Sequence, residues 1–223
     1  MKKIIISVGL FAALLNAENN FYENGDANLK IGTLGVGVEY AMPYNQNIDF
    51  RVGFNKFSYD TSGTESDINY DIDLDLQTFS LIADYKPFDN GFRISGGFMY
   101  NQNGINFDGK PTANQFTIND VTYSANDVGS LDGNVDFNNF APYLGMGYKS
   151  VMTKSGDWSF TSELGVLFQG DPKTSLNATC TSNNAALCTQ LENDVKQEQS
   201  QLEDEIDGFN MYPVFSIGFA YKF

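Results

Sequence analysis

The sequence predicts an all-β protein, an eight-stranded antiparallel transmembrane up-and-down β-barrel with a short helix in its last external loop. Three observations predict this fold class: an N-terminal secretory leader, long stretches of alternating apolar and polar residues, and short turns that alternate with long polar segments. The 223 residues include 19 Phe and 12 Tyr. No apolar stretch reaches the roughly 18 to 20 residues of a transmembrane helix. Strands are therefore the elements expected to cross a bilayer.

The first 17 residues have the pattern of a secretory signal peptide. Lys2-Lys3 supplies the positive start, and an apolar run of about a dozen residues extends from Ile4 to Leu15. Ala17 is the small residue that precedes the expected cleavage. We therefore expect a signal peptide at 1–17, a mature barrel at 18–223, and export to the bacterial outer membrane.

The last thirteen residues have the clearest alternation. One face carries Met211, Pro213, Phe215, Ile217, Phe219, Tyr221 and Phe223. The residues between them are mostly small, which is typical of a lipid-facing exterior around a narrow lumen. A soluble β-sandwich also has alternating strands, but those are usually five or six residues long, whereas these run to about a dozen. We expect strands at 35–43, 46–60, 70–87, 91–107, 133–150, 157–176 and 208–223, and a first strand within 21–33.

Turns and loops alternate in length along the chain. Short turns are expected near residues 43–45, 88–91 and 153–157, and long polar segments at 61–69, 108–131 and 177–207. Outer-membrane barrels have short periplasmic turns and longer external loops. Eight strands enclose a lumen just wide enough for side chains or one small ligand, so the sequence predicts no large open pore.

The third polar segment departs from the β pattern. Its apolar residues recur every four positions from Leu187 to Val195 and its other positions are rich in acidic residues, which predicts an amphipathic helix at about 184–207. Cys180 and Cys188 are the only cysteines of the sequence, and in an oxidising compartment we expect them to form a disulfide. The helix is either a solvated cap over the barrel mouth or a charged lid that attracts cationic solutes.

Composition argues against several classes of function. The sequence has 28 acidic and 13 basic residues and no histidine, so it lacks the basic face of a nucleic-acid-binding protein and the commonest catalytic base. We expect no enzymatic activity and no cofactor or metal site, because barrel lipases and proteases need a nucleophile with a His base. Asp71, Asp73 and Asp75 lack the glycine and distal glutamate of a calcium loop. We expect these three to form an acidic row near the external mouth, close to the acidic helix.

The alternation of apolar and polar residues also predicts which charged side chains face the lumen. If the aromatic faces contact lipid, the charged residues of the barrel strands point inward. The inward-facing residues are then Glu39, Asp49, Arg51, Asp84, Arg93 and Glu163. Opposite charges in a confined interior must pair or change their protonation. They form either a structural salt-bridge plug or a gate through which a small zwitterion or cation passes.

Three segments of the sequence resemble the CarO-like outer-membrane proteins. They are residues 138–148 (Asn-Asn-Phe-Ala-Pro-Tyr-Leu-Gly-Met-Gly-Tyr), residues 158–173, and the acidic helix followed by Met211-Tyr212-Pro213-Val214 and an aromatic end. The resemblance covers roughly residues 130–223 well and the N-terminal half in general layout. It implies a small eight-stranded barrel associated with uptake of ornithine and other basic amino acids, and with carbapenem susceptibility.

These observations together predict a narrow outer-membrane channel for small solutes that prefers cations or basic amino acids. The expected partners are outer-membrane lipid, lipopolysaccharide, and small cationic or zwitterionic solutes. The alternative is a closed structural or interaction barrel that presents its acidic external loops to partners.

Overall fold

The computed structural model describes residues 25–65, 68–111, 114–119 and 121–223. The expected signal peptide lies outside these residues. The strands are β1 (Asp26–Gly32), β2 (Gly35–Pro43), β3 (Ile48–Glu65), β4 (Ile68–Tyr85), β5 (Phe92–Asn101), β6 (Gly104–Pro111), β7 (Gln115–Ile118), β8 (Val121–Ser124), β9 (Val128–Asp136), β10 (Phe140–Val151), β11 (Trp158–Phe168), β12 (Lys173–Cys180) and β13 (Met211–Lys222). A helix, α1 (Ala185–Ile206), and a short 3-10 turn (Asp207–Asn210) precede β13.

Within the described residues, eight strands form a closed antiparallel barrel in the order β1-β2-β3-β4-β5-β10-β11-β13. The barrel closes because β1 pairs with β13 on one side and with β2 on the other, while β4 pairs with β5. The predicted fold class is therefore confirmed. The first strand lies within the expected 21–33 but spans only seven residues. The β1–β2 hairpin is consequently shorter than β3 and β13, the strands that flank it.

The outside of the barrel is apolar around its whole circumference. Alternate residues of the barrel strands expose large apolar side chains. They include Leu29, Val38, Phe50, Leu81, Phe98, Leu144, Leu164 and Phe215, one from each barrel strand. Aromatic rings pair across strands near the ends, as Trp158 does with Tyr221 and Phe98 with Phe140. An apolar exterior with aromatic residues at its ends is the surface of a transmembrane barrel.

The two ends of the barrel differ. Short connections at 44–47, 86–91 and 152–157 lie at one end, together with both ends of the described chain. We assign this end as periplasmic because barrels of this class have short turns on that side. All the long connections lie at the opposite, external end.

Three strands predicted to be continuous are broken at the external rim. The expected strands 91–107, 133–150 and 157–176 each divide into a barrel strand and a separate strand, which corrects the predicted strand boundaries. The separate strands β6, β9 and β12 pair in that order beyond the external half of β4. With the external halves of β3 and β4 they form a sheet that extends from the expected strands into the segments expected to be polar loops.

Backbone hydrogen bonds at the rim explain these breaks. They run from Asn101 N to Asn139 O (2.7 Å), from Asn138 N to Gln169 O (3.0 Å) and from Gln169 N to Asn210 O (3.0 Å). The bonds join the barrel strands where each chain turns outward, and Gly170 supplies the left-handed residue (φ 72°) that one of these turns requires. Alternation continues on both sides of each break, so the sequence pattern does not reveal it.

The external sheet has a hydrophobic core of its own. Helix α1 and the β7–β8 hairpin cover one face of the sheet, and we call the sheet, the hairpin and the helix the external domain. Its buried core residues are Ile68, Ile118, Tyr123, Val128, Leu191 and Val195. Since the seven core residues of the barrel form a separate cluster, the external domain does not depend on the barrel interior for its packing.

The helix and the disulfide agree with the sequence predictions. Asn184 caps α1 by accepting a hydrogen bond from the Ala186 amide at 3.1 Å, which fixes the start of the helix where it was expected. Cys180, at the end of β12, is disulfide-bonded to Cys188 in α1, with the two Cα atoms 5.6 Å apart. No helix in the described part of the chain is long and apolar enough to cross a membrane.

Candidate functional site

Charged side chains fill the lumen in its periplasmic half, with Arg51 of β3 at their centre. The Arg51 guanidinium lies 2.9 Å from Glu39 Oε2, 2.7 Å from Asp84 Oδ2 and 2.6 Å from Glu163 Oε2. These four residues come from β2, β3, β4 and β11, and each side chain is at most 5% exposed. One guanidinium therefore connects opposite walls of the barrel.

Two further basic residues complete this set. Lys30 Nζ lies 2.6 Å from Glu39 Oε1, and Arg93 Nη2 lies 2.9 Å from Glu163 Oε2. We define the lumen charge network as Lys30, Glu39, Arg51, Asp84, Arg93 and Glu163. The network has three basic and three acidic residues and is formally neutral. Each carboxylate has a cationic partner, which offsets part of the desolvation cost of burying it.

Glycines make the space that the network occupies. A Cβ atom on Gly147 would stand 2.7 Å from the central carbon of the Arg93 guanidinium. A Cβ atom on Gly53 would stand 2.9 Å from Glu39 Cγ. Both distances are shorter than non-bonded carbon atoms tolerate, so any side chain at these positions would displace the network. The inward-facing glycines therefore leave the space that the large charged side chains occupy.

Beyond the network, a cluster of apolar side chains lies in the lumen beside buried polar residues such as Asn55 and Thr78. We define the apolar layer as Leu34, Ile82, Met99, Ala141, Tyr143, Leu167 and Val214, against which Tyr212 packs. Leu34 belongs to the β1–β2 turn and is only 4% exposed. Its neighbour Thr33 fixes the turn, because the Thr33 amide donates to the Phe215 carbonyl and the Thr33 hydroxyl donates to the Pro213 carbonyl, both at 2.9 Å. A buried leucine therefore covers the external end of the short β1–β2 hairpin.

Tyr143 belongs to both layers. Its ring is part of the apolar layer, and its hydroxyl donates a hydrogen bond of 2.6 Å to Glu163 Oε1. A Cβ atom on Gly145 or on Gly165 would lie 2.4 Å from the Tyr143 hydroxyl oxygen, so both glycines are required for this ring position. This hydrogen bond therefore connects the lumen charge network to the apolar layer.

A cavity of about 510 Å³ lies below the network and opens toward the periplasmic end. We call this cavity the vestibule. Two ion pairs line it, Lys86 Nζ to Asp49 Oδ1 at 2.8 Å and Lys149 Nζ to Asp26 Oδ2 at 2.5 Å. Lys149 is on β10 and Asp26 is on β1, which are not neighbouring strands, so their ion pair spans part of the opening.

The structure brings together five of the six residues that alternation placed in the lumen. Asp49 lies apart from the other five and has a lysine partner at the periplasmic opening. Sequence reasoning missed Lys30 and Tyr143. Lys30 lies between the outward-facing Leu29 and Ile31, so alternation within β1 could have found it. Tyr143 shares its strand parity with Gly145 and Gly147, opposite to the exposed Leu144 and Met146, so alternation within β10 could have found it as well.

Asp71, Asp73 and Asp75 do not lie beside the acidic helix, which corrects the expectation from the sequence. Ile68 of the same strand packs in the core that contains the helix residue Leu191. Alternate residues of a strand point to opposite faces. The three aspartates are at odd-numbered positions of β4 and therefore face away from α1.

The three aspartates belong to an acidic face of the external sheet. Asp73 stands opposite Asp60 of β3, and Asp71 stands opposite Asp108 of β6. Partial desolvation and the like charges of Asp60 and Asp108 raise the pKa of Asp73. Among the described residues, no group of three or more acidic, histidine or cysteine side chains is arranged to hold a metal ion.

A separate polar contact joins the hairpin of the external domain to its helix. The Tyr123 hydroxyl donates to the Asp194 carboxylate, and the Asn119 side-chain amide donates to Gln197 Oε1 at 2.6 Å. Burial and the Asp194 carboxylate raise the pKa of the Tyr123 hydroxyl. These contacts hold the β7–β8 hairpin against α1.

Comparison with known proteins identifies the fold. No protein-family model matches the chain, and no curated protein matches it. The crystal structure of Acinetobacter baumannii CarO2 is 23% identical, covers 92% of this chain and 100% of its own, and has a TM-score of 0.58. The crystal structure of Acinetobacter baumannii CarO is 23% identical, covers 91% of this chain and 98% of its own, and has a TM-score of 0.56. The resemblance noted in the sequence is thus confirmed at the level of architecture: the chain has the fold of the CarO outer-membrane β-barrels.

Proposed function

We propose that this protein is a narrow, gated outer-membrane channel for small solutes, closed in the conformation described above. The observation that carries the proposal is that buried ion pairs, and not apolar side chains alone, lie across the lumen. Apolar residues of similar volume would close a barrel with equal or greater stability, because burying ions costs desolvation energy. Buried ion pairs can serve as switches, and a gate requires a switch.

The network can exchange partners without isolating a carboxylate. Glu163 Oε2 lies 2.6 Å from Arg51 Nη1 and 2.9 Å from Arg93 Nη2. Asp84 Oδ2 lies 2.7 Å from Arg51 Nε and 3.7 Å from Arg93 Nε. Arg93 can therefore move away while Arg51 keeps both acids paired. Movement of Glu163 would also displace Tyr143, to which it is hydrogen-bonded, and would open the apolar layer.

The distribution of charge supports a preference for cations. Segments 56–77, 102–139 and 169–210, whose described residues form the external part, contain 19 acidic and 4 basic residues, whereas the rest of the sequence contains nine of each. The entire formal charge of −15 therefore belongs to these three segments. A surface of one sign around a narrow entrance raises the local concentration of ions of the opposite sign.

The vestibule supports the same class of solute. Its volume of about 510 Å³ is ample for a molecule as small as an amino acid, and its walls carry ion pairs of both signs. A zwitterion could therefore exchange partners with these pairs on its way to or from the network. Small cations and zwitterions, including basic amino acids, are the proposed solutes.

Uptake into liposomes tests this function. Reconstituted protein should admit lysine faster than glutamate at low salt, and the difference should shrink at 1 M salt, where the Debye length is about 3 Å. Replacing Asp71, Asp73 and Asp75 by asparagine should weaken the preference for lysine. The control variant Asp157→Asn, in a periplasmic turn and outside the vestibule lining, should keep it. Equal uptake of lysine and glutamate at low salt contradicts the proposed selectivity.

A closed barrel that presents the external domain to partners is the second candidate. It is favoured by one observation: the external domain has its own apolar core and disulfide, separate from the apolar layer of the lumen. A domain that only restricted access to a pore would not need an independent core. Liposomes that contain the protein but take up neither amino acid faster than protein-free liposomes would favour this candidate.

A further inference from the structure

The external half of β3 has an unpaired edge. Strand β2 pairs with β3 only as far as Val36 opposite Lys56, because the β1–β2 hairpin turns back there. Beyond Lys56, β3 continues to Glu65 with β4 on one side and, within the described ranges, no strand on the other. We call residues 57–65 the free edge. Alternate backbone N–H and C=O groups of a strand at a sheet edge point away from the sheet.

The free edge carries the acidic residues Asp60 and Glu65 but lacks the other features that usually prevent pairing. Edge strands of natural proteins often carry proline, lysine or a bulge. The free edge reads Phe-Ser-Tyr-Asp-Thr-Ser-Gly-Thr-Glu and has neither proline nor lysine. Its register with β4 runs without a shift from Ile48 opposite Tyr85 to Glu65 opposite Ile68. This edge is therefore regular enough to accept one more strand.

Two aromatic rings lie beside the free edge, on the face of β3 that continues its lumen-facing side. Phe57 and Tyr59 are 41% and 55% exposed, and they stack with ring centroids 6.5 Å apart and 9° between the planes. They have the same strand parity as Arg51 and therefore do not belong to the lipid-facing surface. A Cβ atom on Gly35 would lie 2.5 Å from Phe57 Cβ, so the rings stand next to the β1–β2 turn. They offer an apolar surface to alternate side chains of an added strand.

The opposite face beside the free edge is acidic. Asp60 of the free edge stands opposite Asp73 of β4, and the neighbouring Ser58 donates to Asp75 Oδ1 at 2.6 Å. Basic side chains on this face of an added strand would be favoured, because opposite charges across strands attract. A second copy of the free edge would instead add its own Asp60 and be repelled.

We propose that the free edge of β3 binds an extended cationic peptide segment, which adds a strand to the external sheet. The peptide backbone would bond to residues 57–65, and its apolar side chains would contact Phe57 and Tyr59. Its basic side chains, at alternate positions, would face Asp60 and Asp73. The recognised segment is therefore one in which apolar and basic residues alternate. This proposal does not depend on whether the lumen conducts solutes.

The binding of a defined probe tests the proposal. The full-length protein in lipid nanodiscs is titrated with a fluorescent nonapeptide of alternating valine and lysine, and empty nanodiscs provide the background. Two comparison peptides are used: the same sequence with N-methyl groups at alternate backbone positions, and one with glutamate in place of lysine. We expect each change to weaken binding by about tenfold or more, because strand addition depends on backbone hydrogen bonds and on charge complementarity.

Variants locate the site. Phe57→Ser/Tyr59→Ser keeps the backbone of the free edge intact and should weaken binding of the valine–lysine peptide by about tenfold, because its apolar contacts are lost. The control Phe209→Ser removes an aromatic residue of similar exposure elsewhere at the external end and should leave binding unchanged. Equal binding of the N-methylated peptide, equal binding of the glutamate peptide, or unchanged binding to the double variant would each overturn the proposal.

Discussion

The Tyr143 hydroxyl donates a hydrogen bond of 2.6 Å to Glu163 Oε1, and this contact connects the apolar layer to the lumen charge network. Glu163 is paired with Arg51 and Arg93 on its other oxygen, while the Tyr143 ring packs with the apolar layer. A change in the pairing of the charges is therefore transmitted to the apolar layer through one side chain. The predictions on the lumen follow from this connection.

Removing the Tyr143 hydroxyl should loosen the connection without emptying the lumen. Tyr143→Phe keeps the ring and removes a hydrogen bond to a buried carboxylate, so the free energy of unfolding should fall by about 2 kcal/mol. Urea unfolding in detergent measures this change. Tyr148→Phe, on the lipid-facing side of the same strand, is the matched control and should have the stability of the wild type. Equal stability of Tyr143→Phe and wild type would show that the hydrogen bond does not form.

The two arginines of the network should differ in importance. Arg51→Met leaves Glu39, Asp84 and Glu163 without their shared partner, and removing one member of a buried ion pair costs about 3–5 kcal/mol. Arg93→Met should cost less, because Arg51 still pairs with Glu163 at 2.6 Å and with Asp84 at 2.7 Å. Urea unfolding of both variants tests the order. A larger loss for Arg93→Met would place the centre of the network elsewhere.

The external domain should lose stability at alkaline pH. The raised pKa of Tyr123 means that its protonated hydroxyl stabilises the folded domain. This contribution is complete below about pH 10, the pKa of an unperturbed tyrosine, and is lost as the pH rises through the higher pKa of the folded state. The rate of limited proteolysis within the β7–β8 hairpin should therefore increase between pH 10 and the alkaline limit of the protease.

Two variants test whether ionisation of Tyr123 causes this alkaline effect. Tyr123→Phe cannot ionise, so its proteolysis rate should not rise in the same way with pH. Tyr44→Phe, an exposed residue of a periplasmic turn, should behave as the wild type. An increase in the rate that persists in Tyr123→Phe would mean that another group causes it.

Asp73→Asn should stabilise the external sheet at neutral pH. Partial desolvation and the like charges around Asp73 raise its pKa, so the ionised carboxylate is less favourable in the folded sheet than in the unfolded chain. The resulting loss of stability appears as the pH rises through the unfolded pKa of about 4 and is absent below it. Hydrogen exchange of β4 and β6 amides should be slower in the variant at pH 7 and equal to wild type at pH 3. Asp89→Asn is the control, and slower exchange in it as well would refute a local cause.

Strand parity was the part of the fold that the sequence could predict. Alternation in Phe50–Phe54 and in the last strand places one face in lipid, and the opposite parity then assigns Arg51 and Glu163 to the lumen. The breaks in the predicted strands could not be predicted, because alternation continues through them. They depend on hydrogen bonds such as that from Asn138 to Gln169, between residues far apart in sequence.

The candidate site was predictable to the same degree. Charged residues on an otherwise small-residue face are a strong local signal, and five of the six expected residues lie in the network. Leu34 gave no such signal, because it belongs to a turn and alternation within a strand does not assign its face. The position of Asp71 and Asp73 also depends on which face the helix covers, and helix packing is a long-range property.

Single-channel recording in planar bilayers tests the central claim, that the network is a gate, most directly. The wild type should be closed for most of the time and show rare, discrete openings. Glu163→Gln, which weakens the pairing with both arginines and with Tyr143, should increase the open fraction by about tenfold, equivalent to roughly 1.4 kcal/mol. Asp49→Asn, an inward-facing acid outside the network, should retain the wild-type open fraction. Bilayers in which neither the wild type nor Glu163→Gln ever opens, although the protein is inserted, would contradict the account.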